Sequence, residues 1–118
     1  MPSVDSRFLS AAAVICVLGC IAATVTPLVA GASAAFTGSV VTSGVLGVVF
    51  AARNLQLLQA RGRVSLPPAV LTTLFGGWFM LAPLLYDVGF LSTAGTQSAG
   101  ILVATFGTYL IVTGLAGE

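Results

Sequence analysis

The sequence has no histidine and no lysine, and its formal charges come from just four arginines and three carboxylates among 118 residues. A water-soluble domain carries about 25% charged residues; here the figure is 6%, against 58% hydrophobic. So few charges cannot build a water-facing exterior, and lipid is the solvent that suits such a surface. The net charge of +1 offers no basic footprint for a phosphate backbone, which excludes nucleic acid as a partner. Without histidine the usual axial haem ligand is missing, and so is half of a mixed-ligand zinc set. Without lysine a glycine loop cannot close on a phosphate in the usual way. Cysteine is scarce as well. Cys16 and Cys20 share a helix face at i, i+4 but would need distorted geometry to bond each other. They read as small packing residues, and no metal or cofactor is expected.

Ionisable groups are also missing from the apolar stretches, since Asp5, Asp87 and Glu118 all fall outside them. Ion-coupled transport needs a buried group that binds and releases the driving ion, so a pump is disfavoured. With no nucleophile–base pair in view, an enzyme is not expected.

What is present is hydrophobic length. The first apolar stretch runs from Arg7 to about Val29, as long as the roughly 20 residues that cross a 30 Å hydrocarbon core. It reads as a retained helix, longer than the apolar region of a signal peptide. A second span is expected from about Ser33 to Asn54, ending in the polar run Arg53-Asn54-Leu55-Gln56. The stretch 57–65 is the longest connector. Pro67-Pro68 then opens a third span to about Tyr86, where proline loses no backbone partner in the first turn. Asp87 and Gly89 mark a turn, and Thr96 to Ala116 is the fourth span. Arg7, Arg53, Arg61 and Arg63 lie at the N-terminus or in the central connector, on one side of a four-span topology. The positive-inside rule then puts both termini in the cytoplasm, with anionic headgroups as a second use for these arginines. Abundant Ala, Gly and Val, scarce Ile and the use of arginine alone are what a GC-rich genome encodes, so a bacterial plasma (inner) membrane is expected.

Shifting the chain by 56 positions aligns its halves without a gap. Arg7 falls on Arg63, Pro27 on Pro83, Leu28 on Leu84, Thr37 on Thr93, Gly44 on Gly100, Leu46 on Leu102 and Phe50 on Phe106. Each half holds an even number of spans, so the halves enter the bilayer from the same side. The expected fold is therefore all-α. It is one transmembrane domain over 1–118, with four transmembrane helices as two tandem parallel helical-hairpin repeats in a bundle. Repeat 1 covers about 7–56 and repeat 2 about 63–116.

The segment Gly77-Trp78-Phe79-Met80-Leu81-Ala82-Pro83-Leu84 resembles the signature of the SPW-repeat membrane proteins, in which Gly-Trp precedes a terminal Ser-Pro-Trp. Ala82 stands where that pattern has Ser, and Leu84 where it has Trp; the first copy, Ala22 to Gly31, keeps Pro27 and lacks Trp. The resemblance implies two copies of a two-helix repeat across the whole chain, and brings no activity with it.

Pro27 and Pro83 sit near span ends and free the carbonyls of Ala23 and Phe79, with Thr24 and Thr26 as candidate partners near the first. They read as helix ends or hinges. Ser39, Ser43, Gly47 and Ala51 form a stripe of small residues beside Gly44, and Gly100, Ala104 and Thr108 form another. Such spacing lets helices approach closely, inside the bundle or against a partner. Tyr86 reads as an interfacial anchor and Trp78 as a packing residue. Together these features suggest a non-catalytic accessory subunit among lipids and other integral membrane protein subunits, in a transport or respiratory assembly. The alternative is a passive channel or carrier for a neutral or lipidic solute. As a homo-oligomer it would be lined by Thr24, Thr26, Ser39, Thr42, Ser43, Thr105 and Thr108.

Overall fold

A computed structural model of the chain describes residues 6–31, 33–62, 64–86 and 89–116. They form four helices: α1 (Ser6–Ala30), α2 (Ala34–Arg61), α3 (Leu66–Leu85) and α4 (Phe90–Ala116). All four are long and apolar enough to cross a membrane. Exposed Leu, Val, Ile and Phe cover the outside, among them Leu18, Val29, Leu74, Leu84 and Val112. An exterior of this kind is stable only among acyl chains, so the chain is a multi-pass integral membrane protein.

The helices pack in chain order around a square, antiparallel to their neighbours, in a bundle of 46 × 19 × 19 Å. α3 meets α4 most extensively, α1 meets both α2 and α4, and α2 meets α3 more thinly. Across the diagonal α1 barely touches α3. Phe36, Phe79, Leu110, Val40 and Val103 are fully buried and fill the axis. Around them the core is made of small side chains: Ala12, Ala13, Cys16, Cys20, Ala23, Ala51, Ala69, Ala82 and Ala99.

Local chemistry sets the ends. The Ser33 hydroxyl accepts from the Phe36 amide at 3.3 Å and starts α2. Gly62, at φ 72°, stops it in the left-handed conformation and donates to the Leu58 carbonyl at 2.8 Å, a cap that costs glycine no Cβ clash. Gly31 does the same after α1, at φ 71° and 3.1 Å from the Pro27 carbonyl.

Two boundaries differ from the sequence expectation. α2 continues seven residues past Asn54, to Arg61: the polarity of Arg53–Gln56 marks where the lipid ends, whereas Leu, Gln, Ala and Arg are all good helix formers. α4 begins at Phe90, six residues before Thr96. Ser, Thr and Gly are weak helix formers, but Ser92 is buried and Gly95 lies against Thr26, so packing overrides propensity there.

Candidate functional site

Hydroxyls inside a bilayer need partners, and several of those in the spans find one on their own helix. Thr24, Thr26, Ser43, Thr72, Thr73 and Thr113 each donate to the carbonyl four residues back, at 2.7–2.9 Å. Thr24 therefore bonds Cys20 and Thr26 bonds Ala22, so neither serves the Ala23 carbonyl ahead of Pro27. Both prolines are inside their helices and buried. Near Pro83 the amide of Gln97 crosses from α4 and donates to the Met80 carbonyl at 3.0 Å. Among the described residues three buried side-chain atoms are left without a partner: Asn54 Oδ1, Trp78 Nε1 and Thr96 Oγ1.

The small residues fall into two groups. Gly44 lies against Thr24, Gly47 against Cys20 and Phe75, and Ala51 is buried. Gly100 abuts the backbone of Gly76 and Met80, and Ala104 abuts Gly76. Ser39 and Ser43 are half-buried, and Thr108 is exposed. The strict four-residue stripe drifts because four residues turn a helix by about 400°, an advance of roughly 40° per step. The seam of α2 instead runs through Phe36, Val40, Gly44, Gly47, Ala51, Asn54 and Leu58, in mixed steps of three and four. Sequence reasoning missed Gly19 against Val103, Gly76 against Ala104, and Gly107 against Thr73. The shift of 56 contained part of the signal, since it pairs Gly76 with the buried Cys20.

The packing contacts recur at that same shift. Gly44 meets Thr24 as Gly100 meets Met80, and Gly47 meets Cys20 as Val103 meets Gly76. Between the halves, Gly19 meets Val103 as Phe75 meets Gly47.

Arg7, Arg53 and Arg61 are exposed at one end of the bundle, where α1 begins and α2 ends; Arg63 lies outside the described residues, as do Asp5, Asp87 and Glu118. Cys16 and Cys20 are free thiols buried in the core, with the Cys16 sulfur 3.9 Å from the Val103 carbonyl. Among the described residues no group of three His, Cys, Asp or Glu gathers. On the outside, a shallow groove of about 360 Å³ between α3 and α4 is lined by Met80, Ile101, Ala104, Thr105 and Thr108. Compared with known protein families, characterised proteins and solved structures, the chain matches none, so the likeness to SPW-repeat proteins rests on the quoted residues alone.

Proposed function

We propose that the protein is a non-catalytic accessory subunit that packs beside other integral membrane proteins and stabilises or regulates their assembly. One observation carries this reading: the interior of the bundle is filled by the fully buried side chains of Phe36, Phe79, Leu110, Val40 and Val103. What the molecule has to offer is therefore its outer surface. Glycine seams and connectors of a few residues make that surface a compact, rigid helical block suited to packing beside others. The test is extraction from native membranes in a mild detergent. A partner protein retained at fixed stoichiometry supports the role; recovery of this chain alone, as a stable species, sinks it.

The finer architecture belongs to the same proposal. The recurrence of packing contacts 56 residues apart supports a duplicated helical hairpin with parallel halves. The likeness to SPW-repeat proteins agrees with that layout. Exposed Arg7, Arg53 and Arg61 at one end support cytoplasmic termini in a plasma membrane.

A passive route for a neutral solute is the second reading, favoured by the outward placement of Thr42, Thr105 and Thr108. With the axis packed, such a route would run between copies. Solute flux into liposomes holding the purified protein separates the two, since an accessory subunit gives none.

A further inference from the structure

We infer that the half of the core farther from the arginines is a water-binding site, where a water molecule bridges the Thr96 hydroxyl of α4 to the Ala23 backbone carbonyl of α1. The inference is independent of the accessory role.

Thr96 is fully buried, and among the described residues its hydroxyl has no partner. That departs from the habit of the other spans. Thr72, almost as deeply buried, and the half-buried Thr24, Thr73 and Thr113 each donate to the carbonyl four residues back. Thr96 does not take the carbonyl of Ser92.

Helix register identifies what Thr96 meets instead. Gly19 lies against Val103 and Gly95 against Thr26, so in the antiparallel pair each step up α1 is matched by a step down α4. Thr96 is then level with the turn of α1 between Ala23 and Pro27. Pro27 has no N–H to give, which frees the Ala23 carbonyl within its helix. Ala23 and Pro27 are both fully buried, so this carbonyl lies on the inward face of α1. Neither neighbouring threonine serves it, since Thr24 is bonded to Cys20 and Thr26 to Ala22. One level of the core thus gathers a hydroxyl and a carbonyl that hydrocarbon cannot satisfy.

The first half of the molecule supplies the control. The positions 56 residues before Ser92 and Thr96 are Phe36 and Val40, fully buried and apolar. Hydroxyls enter this layer only from the second half. Ser92, 3% exposed, stands one turn nearer the end of the bundle than Thr96 and supplies a polar step from the surface.

Water is the ligand that fits. A single molecule donates to the carbonyl and accepts from the hydroxyl, and the core side chains at this level include the small Ala23, Ala82 and Ala99. A cation would carry its charge among oxygens that are all neutral.

Water-edited solid-state NMR of the full chain in lipid bilayers tests the site, with polarisation passed from water to protein. Thr96 should gain signal faster than Val40, its counterpart in the first half; equal rates overturn the proposal. Thr96→Val keeps the shape, removes the hydroxyl and decides by sign. With a water held there, the midpoint of thermal unfolding should fall by a few degrees, because the Ala23 carbonyl loses its bridge. A rise or no change means that the hydroxyl was simply unpaired, and overturns the proposal. A fall caused by losing a bond to the Ser92 carbonyl is told apart in the Pro27→Ala background, where a new amide N–H satisfies Ala23. There Thr96→Val should shift the midpoint less than in the unmutated chain; an equal shift overturns the bridge.

Discussion

At the scale of single residues the molecule depends on places where a side chain has been left out. A Cβ built on Gly76 would stand 2.6 Å from the Ala104 amide nitrogen, and one on Gly100 would stand 2.8 Å from the Gly76 carbonyl oxygen. Both neighbours are backbone and cannot rotate away, so α3 and α4 would have to separate. Gly76→Ala should therefore destabilise the protein by about 1–3 kcal/mol, read as a lower midpoint of thermal unfolding in detergent. Gly77, one position on, faces open space. Gly77→Ala should be neutral or stabilising, by up to about 1 kcal/mol from helix propensity. Gln97→Leu removes the cross-helix bond to Met80; the same melt should show a loss of about 0.6 kcal/mol, the average for a hydrogen bond between membrane helices. Gly44, Gly47, Ala51 and Gly100 were legible as packing residues because small residues at regular spacing signal close approach. Gly76 and Gln97 were not: their roles depend on which helix lies opposite, and no local pattern states that.

At the scale of elements, hydropathy located the four spans but misplaced two of their ends. A transfer scale senses where lipid gives way to water, whereas a helix stops where the backbone is turned. α2 runs through Arg53 and Asn54 to the left-handed Gly62, and nothing in the polarity of that stretch marks the difference. Gly62 has open space around it, so Gly62→Ala should cost about 1 kcal/mol through backbone conformation alone, seen as fraying of the last turn of α2 in amide exchange. The early start of α4 at Phe90 was hidden for the opposite reason. Ser92, Thr93 and Gly95 look like loop residues, but Ser92 is buried and Gly95 packs against Thr26, contacts that no local pattern states.

For the whole molecule, the expected sidedness depends on how cations are shared between connectors and not on contacts. A reporter active only in the cytoplasm should be active when fused after Glu118 and silent when inserted at Gly31; the reverse pattern would invert the topology. Function was the least legible. Its most suggestive residues, the small ones of α2 and α4, serve largely to close the bundle on itself.

The brevity of the turn at Gly31, which folds α2 back on α1, has a consequence for how the protein is made. α1 and α2 precede α3 and α4 in the chain, so the side of α1 that packs on α4 has only lipid for company until α4 is synthesised. That side carries Cys16 and Gly19, which meet Val103 of α4, and both are uncharged and small. Such a surface is harmless in lipid while it is alone and close-fitting once α4 arrives. The side that must wait is the one that waiting does not harm.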